Sequence, residues 1–152
     1  MDINKLLKKL ENLIKRDGLE TAVIPGGEMQ IGDTLRTLLP VSESGDAAVL
    51  EIMAGPLTDD MYMLQIYTTI ILEIGPGCEA LKDVLEDWNL TCAIGAYGIY
   101  REKRQFYHKY NYPLSADADT DRSASEILTL LCLIQAVISS NYEDAVKLSG
   151  RD

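Results

Sequence analysis

Apolar and polar positions along this chain recur with two different periods, and the switches between them mark the elements. From residue 3 to 16 the apolar positions Ile3, Leu6, Leu7, Leu10, Leu13 and Ile14 follow helical spacing, with lysines on the other face. Asp2 is placed to cap this helix and Gly18 to end it. The pattern predicts an amphipathic helix packed on a sheet. A membrane-surface helix also fits the lysines, but the acidic remainder of the chain opposes anionic lipid.

The period then changes to two. Thr21–Ile24 and Met29–Ile31 flank Pro25-Gly26-Gly27, the signature of a hairpin turn. Arg36–Ser42 reads as extended, with Pro40 at an edge or a strand end. Ala47–Ala54 reads as a strand stopped by Gly55-Pro56. Met61–Ile74 is the clearest strand. Tyr62, Leu64, Ile66, Ile70, Leu72 and Ile74 lie on one face, with Thr68 as the interruption, and are assigned to the core. Met61, Met63, Gln65, Tyr67, Thr69, Ile71 and Glu73 form the other, mixed face, which reads as open or covered by a partner.

Gly75-Pro76-Gly77 breaks this strand, and Cys78–Asn89 is helical, with Leu81, Val84, Leu85 and Trp88 at helix spacing. Two strands then fold back on each other within residues 88–114. This stretch holds five of the eight tyrosines, the only Phe (Phe106) and the only His (His108). An even loop places Tyr97 and Ile99 with Phe106, His108, Tyr110 and Tyr112, and Tyr100 with Tyr107 and Lys109. An odd loop reverses the match. Ser123-x-x-Glu126 reads as a capping box opening a last helix from about Ala124 to Tyr142. Its apolar residues cover most of the circumference, so burial on more than one side is expected, under the sheet and against another helix or a second subunit.

Composition changes this picture in three ways. At 152 residues one domain is expected. The formal net charge of -10 repels phosphate, which argues against nucleic acid and favours basic partners. Cys78, Cys92 and Cys132 have neither metal-ligand nor disulfide spacing and fit a reducing cytoplasm. No apolar signal core stands at the N-terminus, and the runs Met61–Ile74 and Ile127–Ile138 are short for a bilayer. No membrane association is expected.

Reaction chemistry finds little to work with. His108 falls on the apolar parity of a strand, where a structural role outweighs that of a catalytic base. The acidic alternation Asp117, Asp119, Asp121 is not a calcium loop, since its sixth position is Arg122 and its twelfth Leu128. The glycines after Pro25 lack the Lys-Ser or Lys-Thr of a phosphate loop. No catalytic, metal or cofactor site is expected. The residues that stand out are Met53, Met61, Met63, Tyr67, Tyr100 and Tyr107. They read as core or dimer burial, or as a pliable protein-binding surface in which Met adapts its shape and Tyr adds contact area with a hydroxyl.

Three segments carry a resemblance: Leu85-x-x-Trp88-Asn89, Gly95-Ala96-Tyr97-Gly98-Ile99, and Phe106-x-x-Lys109-Tyr110-x-Tyr112-Pro113-Leu114. With the order α-β-β-β-α-β-β-α, beside which an extra N-terminal hairpin stands, they resemble the secretion-chaperone-like fold. That fold is shared by type III secretion chaperones and the YbjN family of bacterial sensory transduction regulators. The resemblance spans residues 30–148 by element order and 85–114 by residue pattern. It implies an α+β two-layer sandwich, an antiparallel five-stranded sheet with helices on one face. It also implies a non-enzymatic, cytoplasmic, homodimeric protein that binds an extended segment of a partner. A small acidic immunity or antagonist protein acting on a basic enzyme is the alternative, and an enzyme or small-molecule sensor built on His108 and the tyrosines is the third reading.

Overall fold

The computed structural model describes residues 1–27 and 32–150. The apolar stripe of the first segment forms helix α1 (Ile3–Arg16), in which Leu6, Leu7, Leu10 and Ile14 are buried. The Asp2 side chain accepts a hydrogen bond from the Lys5 amide, and the chain turns away at Gly18 with φ 84°. Glu11 lies on the same stripe and is only 4% exposed. Its carboxylate is held by Lys8 at 2.5 Å and Lys15 at 2.7 Å. Those ammonium groups, hydrogen-bonded to it, bring its pKa down to about 2.

Six strands follow the helix: β1 (Thr21–Ile24), β2 (Thr34–Pro40), β3 (Ala47–Thr58), β4 (Met61–Ile71), β5 (Ala96–Tyr100) and β6 (Gln105–Ser115). They form one antiparallel sheet in the order β1-β2-β3-β4-β6-β5. Helix α2 (Glu79–Thr91) connects β4 to β5, and α3 (Thr120–Leu148) closes the chain. The α+β class and the antiparallel sheet agree with the sequence expectation, but the strand count is six, not five. The added strand is β1, which pairs with Thr34–Thr37 of β2. Met29–Ile31, expected as a hairpin partner for β1, lies outside the described residues.

Alternation assigns one face of the sheet to the core. Leu35, Leu39, Leu50, Ile52, Leu64, Ile66, Phe106 and Leu114 are buried there with the apolar stripes of the helices. Two irregularities change the expected pattern. Between Thr69 and Ile71 the register with β6 shifts, so that Thr69 faces Tyr107 and Ile71 faces Phe106. This bulge absorbs Ile70 and turns Ile71, the last residue of β4, to the core side. Ile71, expected on the mixed face, is therefore buried, and Leu72, expected in the core, is 61% exposed. β3 also runs through Gly55-Pro56 to Thr58, with a second register shift between Pro56 and Thr58, where the expected strand stops at Ala54. Among the described residues β2 pairs with β3 only as far as Met53, and Pro56 is paired on the other side with Tyr62 of β4.

The last helix starts four residues before the expected Ala124. Asp119 is its N-cap and accepts from the Arg122 amide at 2.8 Å; Ser123, expected as the cap, is buried inside the first turns. Ala124, Ile127, Leu131, Ile134, Ile138 and Ala145 form a single buried stripe, while Leu133 is half exposed. The helix meets β4 and packs against α1 and α2, so the expected burial under the sheet and against another helix is met within the chain, while the Leu133 side stays open. At 29 residues α3 is long and apolar enough by length and composition to cross a membrane, unlike the short run expected; a third of its most apolar stretch is buried here.

Candidate docking face

β6 presents Phe106 and His108 to the core and Tyr107 and Lys109 to the opposite face. The turn between β5 and β6 has four residues, Arg101–Arg104, and pairs Tyr97 with His108, Ile99 with Phe106 and Tyr100 with Gln105. This is the even-loop register. It places Tyr100, Tyr107 and Lys109 together on the face away from the helices.

That face carries a groove of about 620 Å³ lined by strand and turn residues alone, among them Met53, Gln65, Tyr67, Tyr100, Tyr107 and Lys109. Its floor is built around two stacked rings. Tyr67 and Tyr107 lie with centroids 4.9 Å apart and planes 25° from parallel. Tyr67 is directly opposite Lys109, and Thr69 opposite Tyr107, so the stack is a diagonal pair across β4 and β6. Gly98 makes room for it: a Cβ there would stand 2.5 Å from Cζ and Oη of Tyr107. The Tyr107 ring thus lies over the bare backbone of β5. Burial, then the neighbouring Tyr107 and Glu51, pushes the Tyr67 phenol up to about 12.

Charge at the groove is arranged in pairs and exceptions. Arg36 and Glu51, opposite each other on β2 and β3, form a two-nitrogen contact to one carboxylate oxygen at 3.0 and 2.6 Å. Lys103 stands over the Tyr100 ring, 5.5 Å from its centroid. The Lys109 side chain has no hydrogen bond or ion pair among the described residues. Of the basic turn, Arg104 is structural. It adopts φ 53°, donates to the Ile74 carbonyl at 2.6 Å and pairs with Glu73 at 3.2 Å.

Four of the six residues singled out from sequence, Met53, Tyr67, Tyr100 and Tyr107, come together here. Met61 and Met63 do not line the groove. They sit farther along β4, opposite Thr58 and Gly55 at the β3–β4 turn. The Arg36–Glu51 pair and Gly98 were not recognised as parts of the face. Their signal was the opposite charge of two residues in neighbouring strands and a glycine within a strand flanked by tyrosines.

His108 belongs to the other face and is completely buried. Its Nε2 is 2.7 Å from the Ile94 carbonyl, a contact that requires Nε2–H to be the donor. Cys92 Sγ stands 3.9 Å from the same nitrogen and 3.0 Å from the same carbonyl. With its Nε2 proton in place, the imidazole has no lone pair there to take a thiol proton from Cys92. Burial holds its pKa below the ordinary histidine value. Gly95, at φ 70°, closes the pocket; a Cβ there would meet His108 Cε1 at 2.5 Å. Nδ1 of His108 and Oγ1 of its cross-strand neighbour Thr68 are buried without a hydrogen-bond partner among the described residues.

Trp88 packs edge-on against Tyr97, which stacks on Phe106 at 5.6 Å. Asn89 treats Tyr97 as a strand partner. Its Oδ1 accepts from the Tyr97 amide at 2.7 Å and its Nδ2 donates to the Tyr97 carbonyl at 3.1 Å. Among the described residues, no group of three His, Cys, Asp or Glu side chains is placed to hold a metal ion. No protein-family model matches the chain, and no curated protein matches it.

Proposed function

We propose that this chain is a non-enzymatic protein-binding module, chaperone-like or regulatory, that holds an extended segment of a partner protein across its open sheet face. The observation that carries this reading is the Tyr67–Tyr107 stack beside Met53, half-buried on a face that no helix covers. Stacked tyrosines and a methionine on bare sheet offer apolar area and hydroxyls to a partner without requiring a preformed deep pocket. Strand addition at the sheet edge is a weaker mode here. Asn89 occupies the outer backbone of β5 at Tyr97, and β1 is four residues long and followed by Pro25.

The order of elements, with β1 added, supports placement in the secretion-chaperone-like fold as a two-layer sandwich, the family in which this mode of binding is expected. On that reading the protein is cytoplasmic and homodimeric, with the half-exposed Leu133 side of α3 available for a second copy. The antagonist reading is favoured by one observation, the net charge of -10, which would steer the chain toward a basic enzyme.

The test is affinity capture from the native cell with the wild-type protein and a Tyr67→Ala/Tyr107→Ala variant whose melting temperature is checked first. A partner recovered by the wild type and lost by the variant supports the face. Equal recovery of every partner by both proteins sinks it.

A further inference from the structure

The groove carries the opposite charge balance from the molecule around it. Three cations, Arg36, Lys103 and Lys109, line it against one carboxylate, Glu51, and that carboxylate is already taken by Arg36. Lys109 lies beside the stacked rings with no partner among the described residues, and Lys103 is engaged only through the Tyr100 ring. The chain as a whole has a formal charge of -10.

Resting on the reading of this face as a docking surface, we infer that its occupant is an extended segment bearing acidic side chains interleaved with aromatic or apolar ones. Acidic side chains would meet Lys103 and Lys109, and the alternate side chains would lie on Tyr67 and Tyr107. Screening confines the fields of exposed charges to about 8 Å at physiological salt, so the nearest lysines govern a bound side chain while the acidic body governs the approach. A short segment with a few carboxylates fits a patch of this size. A nucleic acid carries charge continuously along its backbone and would run from the lysines onto acidic surface. The charge of the whole protein selects for basic partners at long range; the groove selects against them on contact. The two effects together favour a segment whose acidic stretch is short and set in a basic or neutral partner.

The test uses isotopically labelled full-length protein and four probes: eight-residue peptides alternating Glu with Tyr, Gln with Tyr, and Lys with Tyr, and an eight-nucleotide oligothymidylate. The ring resonances of Tyr67 and Tyr107 report occupancy of the groove. The Glu-Tyr peptide should bind about tenfold more tightly than the Gln-Tyr peptide at low salt, and the Lys-Tyr peptide most weakly. Lys103→Gln/Lys109→Gln should bring the first two within about twofold of each other, as should raising the salt. Both lysines are at the surface, and an unchanged melting temperature would show that the variant is folded. If the Gln-Tyr or Lys-Tyr peptide binds these tyrosines as tightly as the Glu-Tyr peptide, the charge assignment is wrong and the docking reading stands. If no peptide moves either ring, both fail. If the oligonucleotide binds more tightly than the Glu-Tyr peptide, the occupant is single-stranded nucleic acid and the inference is overturned.

Discussion

Two aromatic stacks sit back to back through the same strand. Phe106 stacks on Tyr97 on the core side of β6, and its chain neighbour Tyr107 stacks on Tyr67 on the open side. The core stack is enclosed: Trp88 packs against both rings, and the Tyr97 hydroxyl donates to the Val137 carbonyl at 2.7 Å and accepts from Asn141 at 3.2 Å. On the open stack neither phenol has a protein partner among the described residues. Burial pushes the phenols of both Tyr97 and Tyr67 up to about 12, so a titration curve alone does not tell the faces apart. What separates them is satisfaction. The core pair has its polar groups matched and its area covered, and so contributes stability. The open pair keeps area and hydroxyls unspent, and that is the property a docking surface needs.

The largest expected effect comes from breaking the core stack. Phe106→Ala should cost about 3–5 kcal/mol in chemical denaturation, because the surrounding rings and α2 close over the void only in part. Tyr107→Ala should cost about 1 kcal/mol, roughly the worth of one cross-strand aromatic pair. Equal losses at the two positions would mean that the open stack is part of the core.

Next in size is a pH effect confined to the core face. His108 is neutral and buried, and its folded pKa is below the unfolded value. Its contribution is therefore complete above about pH 6.5 and is lost as the pH falls below that, since the unfolded chain binds the proton more readily. Stability measured from pH 7.5 to 5 should fall, and His108→Gln should flatten the part of the decline above pH 5. An unchanged slope in that variant would place the decline on other groups.

Glu11 gives a smaller, more acidic window. Its folded pKa of about 2 lies below the ordinary 4.5, so its stabilisation is present above pH 4.5 and lost toward pH 2. Both lysines that hold it are at least half exposed, and solvent weakens the pairs. Glu11→Gln should accordingly cost only about 0.5–1 kcal/mol at pH 7 and nothing at pH 2. A larger loss at neutral pH would show that the lysines shield it from water better than their exposure indicates. The smallest effect is spectroscopic. Tyr67 should ionise near pH 12 by ultraviolet titration, and Tyr107→Ala should bring it down by opening the ring to water and removing a neighbouring phenol.

Much of this division of faces was legible in the sequence. Period two in β4 separated Leu64, Ile66 and Thr68 from Gln65 and Tyr67. The register of the tyrosine hairpin was open between an even and an odd loop, and the four-residue turn selects the even one. The bulge at Ile70 was not legible, because an extra residue in a run of isoleucines and leucines leaves the run looking continuous; Leu72 and Ile71 exchanged faces as a result. Gly55-Pro56 looked like a stop because the pair breaks most strands locally, while its pairing with Met63 and Tyr62 of β4 is a property of the sheet. Asp119 took the cap from Ser123 because both fit the local rule, and packing of Ser123 against the core decided between them. Parity also told which face Met61 and Met63 occupy, but not how far along it they lie, so it grouped them with a groove they do not reach.

Photo-crosslinking in the native cell shows which face of the protein meets a partner. A benzoylphenylalanine at position 67 on the open face is compared with one at position 133 on the exposed side of α3. Position 67 should capture a different polypeptide, and this adduct should be lost when Tyr107 is replaced by Ala. Position 133 should capture, at most, a second copy of the chain. Capture of a different polypeptide from position 133, with none from position 67, would rule out the open sheet face as the docking surface.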